Sequence, residues 1–431
     1  MSAIMSRGRL KLLGHRLRER LWVKPLVICL LSIANVFVAK LADDSDLAQL
    51  MPAISADSIE SLLSIMASSM LVIATFAVGS MVSAYASASS TATPRSFRLI
   101  IADDVSQNAL STFIGAFIFS VVALTAVKND YFESAGLFTL FILMAAVFSI
   151  VILTFLRWVD RIARLGRLGM TIDVVEKATA DALMRRRDAP TLQGVAQRSQ
   201  DAVGTAVFAT TVGYVQHVDI AALQACAEKG QGRIVVTALP GTFAAPGQAL
   251  ARVSDSPDGD TAIDCDQVIQ SFVIGDDRTF QEDPRFGLVV LSEIAGRALS
   301  PAVNDPGTAI DVIGTLVRLF VLWNDSGAQK EGEAPKYDRV EVPELAVMDL
   351  FDDAFTAIAR DGAGTIEVAV RLQKALRSLA LIGDFAMRDA VAYHGRLALA
   401  RSEKALTLPA DVATVRAVAA LAQSAAFAQR G

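Results

Sequence analysis

Long apolar runs dominate the hydrophobic pattern of the first 156 residues. They cover residues 23–41, 61–90, 105–127 and 134–156, and within the first of them residues 25–39 carry no charge at all. Lys24 and Lys40 flank that run and can extend toward the membrane interfaces. Because a hydrocarbon core of about 30 Å needs about 20 apolar helical residues, we predict a four-helix transmembrane domain over residues 23–156.

The charges between these runs predict their orientation. The segment 1–22 is basic, the connection after the first run is acidic, and basic residues return after the second and fourth runs. The basic residues after those runs are Arg95, Arg98, Arg157, Arg161, Arg164 and Arg167. By the positive-inside rule, the N-terminus, the middle loop and everything after residue 156 are predicted to be cytoplasmic.

The first run also has the basic start and short apolar core of a secretory signal peptide. Its end, "VFVAKLADD", is a poor small-x-small cleavage site, which favours retention as a membrane span. Cleavage would leave the orientation of the remaining spans unchanged.

A stripe of small residues runs along the second span. Gly79, Ser83, Ser87 and Thr91 recur every four residues, whereas none of the spans holds an Asp, Glu, Lys, Arg or His between its interfaces. The absence of ionisable groups argues against a proton-driven transporter. The stripe is open to two interpretations, close helix packing or a hydroxyl-lined pore, and packing is favoured because such stripes are common without conduction.

The segment "TATPRSFRLIIADD" follows the second span and is predicted to form an interfacial elbow. Thr93 is a suitable N-cap and Pro94 a suitable first helical residue. Arg95 and Arg98 would then lie at the level of anionic headgroups. The elbow can act as a gate or be an ordinary interfacial turn, and the turn is the simpler interpretation.

Composition restricts the partners and the chemistry. The chain of 431 residues is 53% hydrophobic and has a net charge of −5, so it requires a lipid bilayer and is not predicted to bind nucleic acid. Its three cysteines and three histidines are scattered, which predicts no metal site, no disulfide framework and no cofactor.

The cytosolic part is predicted to be an α+β domain. A juxtamembrane helical segment, 157–212, precedes a small β-rich module at 213–256, with strands "GYVQHV" and "RIVVTA" around a helix. The turns Pro240-Gly241 and Pro246-Gly247 make this module similar to half of a lipoyl-type barrel. No lysine stands at either turn, so lipoyl or biotin attachment is not expected.

A helical hairpin is predicted over residues 266–323, followed by a polar linker at 324–338 and a helical region at 339–431. Both hairpin helices begin with an Asp-Pro pair, at Asp283-Pro284 and Asp305-Pro306. The aspartate accepts hydrogen bonds from unpaired amides, and the proline lacks an amide of its own.

The hairpin loop "RALSPAVNDPGTAID" is the main candidate for a ligand site. Its polar residues cluster around a helix start, where a small polar ligand or a cation can bind. The alternative is a hydrogen-bonded network that only satisfies a tight loop, and the caps favour it. The candidate residues are Glu293, Arg297, Ser300, Asn304, Asp305, Thr308 and Asp311.

Three segments resemble a bacterial family of predicted membrane proteins known as domain of unknown function 2254. They are "PRSFRLIIADD", "GYVQHVDIAAL" and "RTFQEDPRFGLVVLSEIAGRALSPAVNDPGTAID". The resemblance extends from the second span to about residue 322 and implies a location in the inner membrane. One departure is "SASSTATPRSF", where the family pattern usually has a less hydroxylic turn containing Gln.

Two functional hypotheses follow from this organisation. The sequence has no phosphate-binding Gly-Lys loop, dinucleotide fingerprint or Gly-x-Ser-x-Gly elbow, so it is not predicted to be an enzyme. The first hypothesis is a homo-oligomeric gated conduit with a cytosolic regulatory domain. The alternative is a non-conducting, membrane-anchored sensor or scaffold that binds a ligand or a protein partner through its cytosolic domain.

Overall fold

The computed structural model describes two compact units, Met1–Thr171 and Ile172–Gly431. The described residues are 22–43, 52, 54–91, 93–101, 103–164, 167–197, 204–255, 262–325 and 335–427. The predicted basic segment before residue 22 and most of the predicted linker, residues 326–334, lie outside them.

The first unit is helical throughout its described part. Four of its helices are long and apolar. A helix is the form that such apolar runs adopt in lipid, because it satisfies the backbone hydrogen bonds within the segment itself. The four long helices are α1 (Val23–Leu41), α2 (Ala56–Thr91), α4 (Asp104–Lys128) and α5 (Ser134–Ile162), and a short α3 (Phe97–Ile101) lies between α2 and α4. All four long helices coincide with the predicted spans, and α2 begins five residues earlier than predicted.

Helix α4 lies at the centre of the first unit and contacts α1, α2 and α5. A methyl group on Gly115 would collide with Ile28 of α1, so this glycine permits close approach of the two helices. On its other sides α4 packs Phe113 edge-on against Trp158 of α5, and Phe119 lies in the same buried cluster, with each of these three at most 1% exposed. The interior of the four-helix unit is therefore filled.

Charged groups of the first unit lie at helix ends and are shared between helices. Asp103 caps α4 by accepting from the Ser106 amide at 3.0 Å and also accepts from Arg161 of α5 at 2.7 Å. At the other end, Asp43 accepts from Lys40 at 3.2 Å and from the Glu133 amide, at the start of α5, at 3.0 Å. These contacts hold α5 antiparallel to α1 and α4.

The predicted elbow segment contains the expected cap and short helix, and its position at a membrane interface stays a prediction. Thr93 caps a 3-10 turn, Pro94–Ser96, by accepting from the Arg95 amide at 3.3 Å, and α3 follows directly. Its apolar residues, with Ile100 buried, pack with Met81 and Tyr85 of α2. The elbow is therefore tied to the end of the second span.

The second unit begins with α6 (Leu168–Asp188), most of which it contains, and continues as a mixed α/β region. Its described strands are β1 (Gly194–Ala196), β2 (Thr205–Phe208), β3 (Gly213–Val218), β4 (Arg233–Val236), β5 (Phe243–Ala244), β6 (Ala249–Ser254), β7 (Phe272–Gly275) and β8 (Tyr337–Val342). They form a five-stranded sheet, ordered β1-β8-β4-β6-β2, and a three-stranded sheet, ordered β5-β3-β7.

The sheets include residues on both sides of the predicted β-rich module at 213–256. Strand β8 straddles the predicted linker and helical region and pairs in parallel with β4 and β1. Val340 and Val342 alternate inward along β8 and are fully buried, which explains why this short segment joins the core. The resemblance of the module to a lipoyl-type barrel stays a prediction.

Eight helices complete the described part of the second unit beyond α6. Two short ones, α7 (Ile220–Lys229) and α8 (Cys265–Gln270), lie among the strands. The hairpin consists of α9 (Pro284–Ala298) and α10 (Pro306–Asn324), and the C-terminal bundle of α11 (Val347–Asp361), α12 (Ile366–Ile382), α13 (Phe385–Ala405) and α14 (Pro409–Phe427). The hairpin and the C-terminal helices were predicted; α11 starts later than expected because β8 and its exit loop precede it.

By length and composition, α10 is a fifth helix apolar enough to cross a membrane, beside the four in the first unit. It packs against α9 and α12, with Val312, Ile313 and Leu316 fully buried. Its exposed Arg318 forms a bidentate ion pair with Glu176 of α6.

Gly287 permits close packing of α9 against α6. A methyl group at this position would overlap the Thr179 side chain, whereas one on Gly314 of α10 would meet only the ends of two flexible side chains, Arg371 Nη2 at 3.5 Å and Arg318 Nη1 at 3.9 Å. We expect Gly287→Ala to lower the free energy of unfolding by about 1–3 kcal/mol through overpacking. Gly314→Ala, the matched control, should raise it by about 0.5–1 kcal/mol, because alanine reduces the entropy lost on helix formation.

Thermal unfolding of the full chain in detergent measures both effects. Adding Thr179→Ala to Gly287→Ala should recover part of the loss. Equal stabilities of the two glycine variants would contradict this packing.

Candidate functional site

The hairpin loop between α9 and α10 satisfies its own hydrogen-bonding groups. Asp305 accepts from the Thr308 amide at 3.1 Å and from its hydroxyl at 2.6 Å. The Asp305 amide donates to the Ala298 carbonyl at 2.8 Å, which closes the loop onto the end of α9. The predicted N-caps at Asp305 and Asp283 are both confirmed.

Ser300 and Asn304 complete this turn. The Ser300 hydroxyl donates to the Arg297 carbonyl at 2.7 Å, and the Ser300 carbonyl accepts from the Asn304 amide at 2.9 Å. Asn304 has a φ of 49°, a left-handed conformation that asparagine tolerates well. Capping and turn geometry thus explain Ser300, Asn304, Asp305 and Thr308.

The other candidate residues lie on the two helices rather than in the turn. Glu293 is half-buried on α9 and Arg297 is exposed near its end. Asp311 is exposed on α10, close enough to affect Arg318. The hydrogen bond that Arg318 donates to Glu176, aided by the charges of Glu176, Asp173 and Asp311, raises the pKa of that guanidinium. Asp311 therefore belongs to a second charged group, and a ligand shared by all seven residues stays a prediction.

A denser polar cluster, which the sequence did not reveal, extends from the end of β7 into the first turn of α9. We call residues 277–286 the junction segment. Arg278 binds both oxygens of Asp283, at 2.7 and 3.0 Å, and Asp283 also caps α9 through the Phe286 amide. Asp283 is only 2% exposed and lies against Gly241, whose φ of +95° favours glycine.

Other parts of the second unit bind the junction segment through charged side chains. His217 of β3 shares a hydrogen bond of 2.7 Å with Glu282. Arg285 forms ion pairs with Asp349 at 2.8 Å and Asp353 at 2.6 Å, both on α11. The junction segment therefore connects the sheets, the hairpin and the C-terminal bundle.

Three consecutive arginines end α6 and bind carbonyls of the second unit. Arg185 donates to Gln281 O at 2.7 Å, and Arg187 donates to Leu322 O at 2.9 Å. This basic helix end therefore binds backbone carbonyls of its own unit. The sequence signal was the triple arginine itself, since cations favour the carbonyl end of a helix.

Arg186 is the most buried of the three, at 4% exposure, and donates to the Pro343 carbonyl at 3.1 Å. Burial lowers its pKa to about 10, an effect that the nearby Glu282, Glu344 and Asp283 oppose. The side chain thus stays charged at neutral pH. Among the residues that the structure describes, no group of three His, Cys, Asp or Glu could hold a metal ion.

The small-residue stripe of α2 faces away from the other helices of the unit. Gly79, Ser83 and Ser87 are exposed, whereas Ala77 and Met81 face the core. The side chain of Thr91, the fourth member, lies outside the described part. Close packing along this stripe would therefore need a second chain rather than another span of the same chain.

Replacing Asp305 tests the capping role of the hairpin loop. We expect Asp305→Ala to lower stability by about 1 kcal/mol, whereas Asp305→Asn, which keeps a cap, should cost less. Hydrogen bonds from Thr308 lower the pKa of Asp305, so its contribution is present above its ordinary pKa of 3.8 and is lost as the pH falls through the folded-state value. Asp305→Asn should remove that part of the pH dependence.

The measurement is the melting temperature in detergent between pH 3 and pH 7, with native mass spectrometry on the same samples. Asn304→Ala is the companion variant. Loss of a retained small molecule at an unchanged melting temperature would contradict a purely structural loop.

Comparison with known proteins identifies the family of this chain. Residues 18–378 match the family described as "Predicted membrane protein (DUF2254)". The uncharacterized proteins Mb1321c of Mycobacterium bovis and Rv1290c of Mycobacterium tuberculosis are each 32% identical over 136 residues. That match covers 31% of this chain and 26% of each relative, so the chain spans about a quarter of the curated relatives. No solved structure matches. The chain belongs to the DUF2254 family of predicted membrane proteins.

Proposed function

We propose that this multi-pass membrane protein resides in the bacterial inner membrane and assembles as a homo-oligomeric gated conduit. In this proposal α1, α2, α4 and α5 span the bilayer, and the second unit is a cytoplasmic regulatory domain. Both termini then lie in the cytoplasm. We assign no catalytic activity to the chain.

The distribution of charge in the first unit supports this orientation. The end formed by the starts of α1 and α4 and the end of α5 is rich in cations, and the opposite end is rich in carboxylates. Cytoplasmic flanks of bacterial spans carry an excess of Lys and Arg. The basic end holds Lys24, Arg95, Arg98, Arg157, Arg161 and Arg164, and the acidic end holds Asp43, Asp57, Glu60, Asp130 and Glu133.

The packing of α10 supports a count of four spans rather than five. Its buried face belongs to the bundle of the second unit, and its exposed face carries the ion pair between Arg318 and Glu176. A lipid-facing helix would have to bury that pair in hydrocarbon at considerable cost.

The observation that carries the conduit proposal is the exposure of Gly79 and Ser83. The exposed faces of α1 and α5 are mostly large and apolar, with residues such as Leu30 and Leu153, as expected against lipid, although Ser149 of α5 is also exposed. On α2, exposed Val72 and Phe76 give way to the small, hydroxylic stripe, with Val82 beside it. Such a surface suits contact with another copy or a water-lined path.

The central position of α4 places any such path between chains. Aromatic side chains from α4 and α5 fill the position where a pore through one chain would run. Several copies that face their α2 stripes toward a common axis could instead line a passage with hydroxyl groups. This is why the conduit is proposed as a homo-oligomer.

The alternative proposal is a non-conducting sensor or scaffold that binds its ligand or partner through the second unit. It is favoured by the hydroxyl groups of α2, since Ser68 and Thr75 donate to carbonyls of their own helix. Hydroxyls satisfied in this way can face lipid without lining water. The charged junction segment and the hairpin loop would then carry the function.

A bulky residue on the stripe separates the two proposals. Ser83→Trp should reduce flux at least about tenfold if the stripes line a passage, because an indole would occlude a narrow pore. Ser149→Trp is the matched control, since Ser149 is an exposed hydroxyl on α5 that donates to its own helix at Ala145 O. The measurement is stopped-flow flux of water, glycerol, K⁺ and Cl⁻ in proteoliposomes.

Equal flux in the two tryptophan variants would contradict the conduit. So would wild-type vesicles that conduct none of these solutes above the protein-free background. Either result would favour the sensor or scaffold.

A further inference from the structure

The elbow presents two arginines on one exposed face. Arg95 and Arg98 are three residues apart in the continuous helical segment formed by the 3-10 turn and α3, and both are exposed. Ser96 is fully buried and Ile100 is 5% exposed on the opposite side. Side chains three apart on a helix have Cβ atoms separated by about 5–6 Å, so both guanidinium groups can reach one anion.

The internal contacts of the elbow hold this face in place. The Ser96 hydroxyl donates to Thr93 O at 2.7 Å, and the Phe97 ring meets the Tyr85 ring edge-on at 6.1 Å between centroids. Gln107 donates to Ile101 O at 2.9 Å and ties the end of α3 to α4. The segment is therefore a rigid platform at one end of two apolar spans, where a bilayer has its headgroups.

Other cations at this end bind carboxylates of the first unit. Arg161 binds Asp103, which is 5% exposed in its side chain, and Lys24 binds Asp104. Arg164 binds Asp160 at 2.8 Å. These pairs fix the helix ends around the elbow.

We propose that Arg95 and Arg98 bind the phosphate of an anionic phospholipid headgroup. Guanidinium groups bind phosphate through charge-assisted, often bidentate, hydrogen bonds. The excess of cations at this end adds attraction for a negatively charged leaflet. The bound lipid fixes the depth of the elbow in the interface, and this role does not depend on whether the protein conducts.

The test is a binding titration by native mass spectrometry of the full chain in detergent. The probes are dioctanoyl phosphatidylglycerol, dioctanoyl phosphatidylcholine and inorganic phosphate. We expect phosphatidylglycerol to bind in preference to both others. The double variant R95Q/R98Q should weaken its binding about 25-fold, at about fivefold for each basic residue near an anionic headgroup.

R95K/R98K keeps both charges and should lose less than the glutamine variant. Lys128→Gln, which removes an exposed cation at the opposite end of the first unit, is the control and should leave the affinity unchanged. If the double variant fails to fold, the single variant R98Q replaces it and should bind phosphatidylglycerol more weakly than wild type does. The affinity of wild type for this lipid should also fall as the salt concentration rises from about 0.05 to 0.5 M.

Two results would overturn the proposal. One is unchanged phosphatidylglycerol affinity in folded R95Q/R98Q or R98Q. The other is inorganic phosphate that binds as tightly as the lipid, which would make the arginines a general anion site rather than a headgroup site.

Discussion

Hydrocarbon offers no hydrogen-bond partners, and the arrangement of the first unit depends on this constraint. Ionisable groups are confined to helix ends, where they bind one another across the bundle, as Asp103 does with Arg161. Buried hydroxyls within the spans, such as those of Ser111 and Ser120, donate to carbonyls of their own helix. The end contacts then set the register of the spans and the place of the elbow.

The second unit also provides partners for its polar groups, through helix caps and arginine side chains. Its hairpin helices begin with aspartate caps, and α6 ends in three arginines that bind backbone carbonyls. The junction segment combines these devices, because Asp283 is at once a cap and the partner of Arg278. Removing one member of such a buried pair would leave the other charge uncompensated, so this segment is expected to be the least tolerant of substitution.

The sequence predicted the features that depend only on residues close together in the chain. Runs of apolar residues located the candidate spans. Thr93, Asp283 and Asp305 were recognisable as caps, because an N-cap bonds only to amides in the first turn of the helix that follows it. The pairing of β8 with β4 and the ion pair between Arg285 and α11 join segments far apart in sequence, and one sequence shows no such proximity. Periodicity revealed the stripe on α2 but not that it faces outward, since that depends on where α4 lies.

The mass of the assembled protein in nanodiscs tests the central claim, that the exposed α2 stripes meet between copies. Native mass spectrometry gentle enough to keep bound small molecules gives the subunit number directly. The conduit proposal predicts a closed ring of several chains, which Ser83→Trp should perturb and Ser149→Trp should not. A monomer in the bilayer would contradict it, because one chain fills its own interior with side chains.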